Sequence, residues 1–173
     1  MSDPESLASP ASLDGLLLYR MSRVLAVSGG LVVRLCEGRF GITRREWRVL
    51  AVLAREEGVF SSQLAQRAQL DRARTSRAVT TLVAKRLVRR DVRPGDRRQI
   101  SLSLTDEGRG LYAAIFPIVR GINQSLLSAL SEPEVETLDR VLARLQQRAG
   151  EMVDSAEPPR VDRRHGATKT GCR

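Results

Sequence analysis

Histidine and cysteine are almost missing from this sequence, and aromatic residues are scarce. The one histidine, His165, lies in a polar C-terminal stretch. The two cysteines, Cys36 and Cys172, fall in an apolar helical stretch and in the polar tail. That supply excludes a disulfide framework and a Cys/His metal site. There is no Gly-Lys phosphate loop and no nucleophile elbow, and the acidic residues form no convincing pair. Catalysis therefore has no carrier, and no cofactor or metal is expected. The longest apolar stretches are broken by Arg20, Arg23 and Arg34, too early to span a bilayer. The N-terminus has no basic-then-apolar signal, so a cytoplasmic protein without a membrane partner is expected. Aromatics make up 3% of the 173 residues while hydrophobic residues make up 42%, so the core must be aliphatic and the chain mostly helical.

What the chain does have is a local excess of positive charge. The formal net charge is +9. Residues 61–98 carry 11 basic and 3 acidic side chains, whereas residues 1–60 carry 8 and 7. A cationic window of this kind points to a polyanionic partner, with nucleic acid first; a merely solvated basic surface is the plainer alternative.

Residues 1–11 are Ser- and Pro-rich and read as an unstructured tail. From Leu13 to about Glu37, Leu17, Met21, Val24, Leu31 and Leu35 recur at helical spacing, interrupted by Gly29-Gly30 as a kink or a close approach. Thr43-Arg44-Arg45-Glu46 has the form of a capping box opening a second helix. Ser61 or Ser62 is expected to cap a short third helix, and Asp71 a fourth that runs to about Arg86. The period then changes to two. Leu87, Val88 and Val92 face Ile100, Leu102 and Leu104 across Pro94-Gly95, a β-hairpin with a charged tip. Thr105 caps a long helix bent at Pro117, and Ser131-Glu132-Pro133-Glu134 opens the last one.

Residues 62–86 thus read as helix-turn-helix and 87–104 as a wing. The second helix of such a unit lies in the DNA major groove, where Arg, Ser and Thr reach base edges. Arg72, Arg74, Thr75, Ser76, Arg77 and Thr81 are the candidates for that role. Arg93, Arg97 and Arg98 at the hairpin suit the minor groove. Ser61, Ser62, Lys85, Arg86, Arg89 and Arg90 suit phosphates, and Asp91 and Asp96 are placed to pair with wing arginines.

These residues carry a resemblance. The chain resembles the MarR (multiple antibiotic resistance regulator) family over about residues 13–153. The resemblance rests on Glu46-Trp47-Arg48-Val49-Leu50, on Thr75-Ser76-Arg77, on Asp91 to Arg98, and on Thr105-Asp106-Glu107-Gly108. It implies a mainly α fold with a small β-hairpin wing, a winged helix-turn-helix flanked by dimerisation helices. The winged unit is placed at 43–104, the dimerisation region at 12–42 and 105–153, and a basic tail without structure at 154–173. It also implies a homodimeric repressor of a pseudo-palindromic operator, released by a small aromatic acid: a phenolic, a benzoate or a hydroxylated pyridine carboxylate. One position departs from the family, which usually has Gly after the recognition helix, where this chain has Arg86. A left-handed residue there costs about 1 kcal/mol when it is not Gly.

An aromatic acid needs an apolar slot and a cation, and Tyr19, Arg20, Arg23, Trp47 and Arg48 supply both types. The alternative is a core Trp47 with arginines in surface ion pairs. Cys36 lies beside Arg34 and Arg39, which would lower a thiol pKa and suit a redox sensor; a buried inert thiol is the alternative. A sequence-neutral architectural DNA binder is a third reading, which the Ser/Thr/Arg face argues against.

Overall fold

The computed structural model describes residues 6–93 and 96–155, with side chains other than those of residues 92–99. It divides into two units, residues 6–128 and 129–155. Among the described residues no single helix is long and apolar enough to cross a membrane.

The first unit opens with a tight turn in which the Ser9 N–H donates to Ser6 O at 3.1 Å, in a stretch expected to lack structure. A 3-10 turn (Leu13–Gly15) leads into α1 (Leu17–Phe40). The helix runs unbroken through Gly29-Gly30. Of the two readings, close approach is the correct one at Gly29: it is buried, and a β-carbon there would lie 3.3 Å from Arg44 Nη1. Gly41, left-handed at φ 62°, ends the helix.

The Thr43 capping box forms as expected at the head of α2 (Arg44–Arg55), with Thr43 N–H donating to Glu46 Oε2 at 2.7 Å. A strand the periodicity did not reveal, β1 (Val59–Phe60), follows. It is only two residues long and takes its meaning from a partner more than forty residues away. The neighbouring expectation also changes. Phe60, with no side-chain cap, precedes α3 (Ser61–Arg67), so neither Ser61 nor Ser62 is the cap. Extending the chain into β1 puts Ser61 inside the first turn.

Asp71 caps α4 (Arg72–Ala84) by accepting from the Arg74 N–H at 2.7 Å. Both α3 and α4 end in the same way. The Gln69 and Arg86 N–H groups reach back to Gln66 O and Val83 O, and those of Leu70 and Leu87 reach Ala65 O and Leu82 O. This pattern requires a left-handed residue. It falls on Gln69 (φ 52°) and Arg86 (φ 60°), neither of them Gly.

Strands β2 (Val88–Arg93) and β3 (Asp96–Leu104) form the expected hairpin, within a three-stranded antiparallel sheet of order β1-β3-β2. Leu102 and Leu104 are buried as expected; Ile100 is 36% exposed, because its register lies opposite Val92 towards the far end of the hairpin. The core is aliphatic, built on Leu50, Leu53, Leu64, Leu82, Leu102 and Ile115. Three of the six aromatics stack across it, Trp47 on Tyr112 (centroids 5.5 Å) and Tyr112 on Phe116 (5.4 Å). This stack ties α2 to α5 (Asp106–Leu127), which continues through Pro117.

The junction from sheet to α5 explains the Thr105-Asp106-Glu107-Gly108 run. Thr105 Oγ1 accepts the Gly108 N–H at 3.0 Å and donates to Arg86 O at 2.6 Å, while the Thr105 N–H donates to Leu87 O. Gly108 lies so close to that turn that a β-carbon would sit 2.0 Å from Leu87 O.

The second unit is α6 (Glu132–Ser155), opened by Ser131 N–H and Oγ donating to Glu134 Oε2. These hydrogen bonds hold the Glu134 carboxyl below its usual range. Its apolar positions Val141, Leu142 and Leu145 are 37–41% exposed. Residues 156–173, most of the expected basic tail, lie outside the described residues.

Three substitutions test this packing. Gly108→Ala drives a methyl into backbone and should cost about 2–3 kcal/mol in chemical denaturation. Gly110→Ala, two residues on and in open space, should gain about 1 kcal/mol from helix propensity. Arg86→Gly should raise stability by about 1 kcal/mol, since it removes left-handed strain and leaves the backbone acceptor for Thr105 in place. A loss on Arg86→Gly would contradict the observed turn.

Candidate nucleic-acid interface

Helix α4 presents two faces. Ala78, Val79 and Leu82 are buried and dock it on the core. Arg72, Arg74, Ser76, Arg77, Thr80 and Thr81 are exposed. Thr75 differs from its expected role as a base reader. It is 3% exposed, and its hydroxyl donates to Asp71 O at 2.9 Å. The hydroxyl is consumed within the helix's own first turn, so Thr75 is a packing residue. Arg74 pairs with Asp71 at 3.0 Å, both half exposed, a surface contact worth about 0–1 kcal/mol that leaves the guanidinium free to exchange partners.

Residues assigned from the sequence to base and to phosphate roles come together in one groove. Ser61 and Ser62 of α3, Arg72 and Ser76 of α4, and Arg90 of β2 line a cleft of about 470 Å³, with Thr75 and Val79 also in its wall. Arg90 Nη2 reaches Thr80 Oγ1 at 3.5 Å, a long contact between wing and recognition helix. Ile100 also lines this groove. The sequence reading missed it, because strand alternation assigned Ile100 inward with Leu102 and Leu104.

Arg89 pairs with Asp91 at 3.2 Å, as foreseen for that carboxylate. The side chains of Arg93, Arg97, Arg98 and Asp96 lie outside the described residues, although the backbones of Arg93 and Asp96 pair in the hairpin. Arg86 is exposed.

Lys85 also departs from the role its place in the basic run suggests. It was expected at a phosphate. Its ammonium instead donates to Glu46 Oε2 at 3.0 Å and to Gly41 O at 2.8 Å. The Glu46 side chain is 4% exposed and that of Lys85 35%, so this is a half-buried tie between the end of α4 and the start of α2. Three of a lysine's donors are available, and two are committed here.

The residues proposed for a ligand are not gathered in one place. Arg20 and Arg23 line an open cleft of about 760 Å³ with Val24, Val27 and Leu126, where Arg23 is paired with Asp14 at 2.9 Å. Tyr19 lines a different cleft, with Leu13 and Leu17. Trp47 is 7% exposed and committed to its stack on Tyr112, so of the two readings it is the core one that holds. Arg48 is half-buried, and burial together with the nearby Arg44 charge lowers its pKa.

Cys36 is fully buried. Burial first, and Glu37 second, raise its thiol pKa, against a smaller lowering by Arg44. The cations expected to activate it, Arg34 and Arg39, do not do so, and the reactive-thiol reading is overturned.

With this geometry in view, the comparisons with known proteins decide the family. Residues 40–99 match the model of the MarR family. The chain is 30% identical over 145 residues to the HTH-type transcriptional repressor Rv2887 of Mycobacterium tuberculosis, covering 80% of this chain and 96% of that protein. It is 31% identical over 109 residues to the transcriptional repressor MdtR of Bacillus subtilis, covering 63% and 70%. The chain belongs to the MarR family. A MarR-family regulator from Silicibacter pomeroyi superposes with a TM-score of 0.69 at 24% identity, covering 85% of this chain and 94% of that one, and shows the same fold. This MarR protein is therefore a winged helix-turn-helix transcriptional regulator and not an enzyme.

The Lys85 assignment is separable from a phosphate contact. Lys85→Met should lower stability by about 2 kcal/mol, because Glu46 is left buried beside one backbone donor. Its binding to DNA should weaken without a change in the slope of log affinity against log salt. Arg90→Gln should flatten that slope by about 0.9. A flatter slope for Lys85→Met would return Lys85 to the phosphates.

Proposed function

We propose that this regulator represses transcription by binding a pseudo-palindromic operator as a homodimer, and that a small aromatic acid releases it. The observation that carries the DNA reading is the groove where Ser61, Ser62, Arg72, Ser76 and Arg90 converge beside the exposed face of α4. An α-helix with Arg and Ser on its outer face fits a major groove. The wing arginines Arg93, Arg97 and Arg98 add minor-groove contacts, and Arg86 and Arg89 add phosphate contacts. Dimerisation is supported by a run of uncovered apolar side chains on α1: Leu18 is 79% exposed, Val27 78% and Leu25 54%. A face that apolar is covered in a stable regulator. Repression is the stated role of both relatives above. The protein acts in the cytoplasm, where its DNA is.

The test is binding to DNA upstream of its own gene and to random DNA across a salt series. A dimer should bind the upstream DNA at least about a thousandfold tighter, with affinity falling steeply as salt rises. Equal affinity for both DNAs would favour an architectural binder, and no binding at low salt would remove the proposal.

A further inference from the structure

Between Gly41 and Thr105, Ile100 is, among the described residues, the one large apolar side chain left as much as 36% exposed. Strand alternation places it on the face of β3 that also carries Leu102 and Leu104, which are 0% and 1% exposed. Its cover ends for a reason of register. Strand β1 pairs with β3 at Leu102 and Ser101, and at Ser61 the chain leaves the sheet to begin α3. Ile100 lies one residue past that point. The groove beside α4 opens there, and it brings together Ser61 and Ser62 of α3, Arg72 and Ser76 of α4, and Arg90 of β2. Polar donors from three elements thus share the groove with one uncovered apolar side chain.

The docking proposed above, on which this inference rests, says what fills such a groove. With α4 in the major groove and the wing in the minor groove beside it, the cleft between helix and wing straddles whatever separates the two grooves. That is a single sugar-phosphate backbone. Its phosphates recur at every nucleotide and suit Arg72, Arg90 and the serine hydroxyls. Between two phosphates the backbone presents a deoxyribose, with an uncharged carbon face. Base edges lie on the floor of the major groove, where the outer residues of α4 reach. Ile100 belongs to the sheet behind that helix, so the backbone passes it and the bases do not.

We infer that Ile100 packs on a deoxyribose of the DNA strand that threads this groove. It is a sequence-neutral contact, and it sets how closely the wing and the recognition helix approach the backbone. Burying apolar surface releases no counterion, so this contact adds affinity without adding to the salt dependence. Arg90, in the same groove, contributes to both.

The test uses the full-length protein, Ile100→Val and Ile100→Thr. Both replacements are β-branched and suit a strand, and they differ in one methyl against one hydroxyl. Thermal melts check that both fold. Affinity is measured across a salt series on the upstream DNA, on the same DNA with uracil in place of thymine, and on random DNA. Ile100→Thr should bind all three at least about threefold more weakly than Ile100→Val. The slope of log affinity against log salt should not change. If Ile100→Thr melts early, Ile100→Val against wild type should show a smaller loss of the same kind. Equal affinities across the series would overturn the contact. A loss that vanishes on uracil DNA would overturn it too, and would give Ile100 a thymine methyl instead of a sugar. A flatter slope would mean that Ile100 acts by placing the cations, again against a sugar contact. Wild type that binds none of the three DNAs would sink the proposed function itself.

Discussion

One carboxylate organises the DNA-binding unit. Glu46 Oε2 accepts both the Thr43 N–H, closing the capping box of α2, and the ammonium of Lys85 from the far end of α4. The same lysine reaches Gly41 O, the residue that ends α1. Three helices are therefore registered by one ion pair and one backbone acceptor. Removing the lysine is costly because the buried Glu46 carboxylate then loses its charged partner. The tie sits where α4 turns into the wing, so the orientation of the recognition helix follows from it.

The rest of the unit is arranged around that junction. Arg86, left-handed, turns the chain from α4 into β2, and its carbonyl accepts from Thr105, which caps α5. Gly108 then lets α5 press against Leu87 O. A chain poor in aromatics spends three of them on a single stack joining α2 to α5, worth about 0.5–1.5 kcal/mol per pair beyond the area they bury. The exposed face of α4 is thus the outer surface of a body held from behind by short polar contacts and one aromatic ladder.

Most of this was legible in sequence where the cause is local. Thr43 and Glu46 sit three apart, and a capping box needs nothing more. Asp71 and Thr105 cap their helices for the same reason. The buried face of α4, Ala78, Val79 and Leu82, follows from a 3.6-residue period. Readings that depended on a distant partner fared worse. Strand β1 exists because Leu102 and Ser101 pair with it, and with it the expected Ser61 or Ser62 cap disappeared. Lys85 looked like one more cation in a basic run, and only its fold neighbour Glu46 showed otherwise. Thr75 and Cys36 were judged by residue type and neighbours in sequence, whereas burial decides what a hydroxyl or a thiol does.

By itself the sequence determined the order of helices, the hairpin, the basic window and the family, since periodicity, capping and charge act over a few residues. Only the tertiary structure decided which cations are free to meet DNA or a ligand and which are already spent. Lys85 is spent on Glu46 and Arg23 on Asp14, while Arg72 and Arg90 line the open groove beside α4. The reason is physical: a charge is neutralised by whatever lies within a few ångströms in space, and chain folding sets that distance.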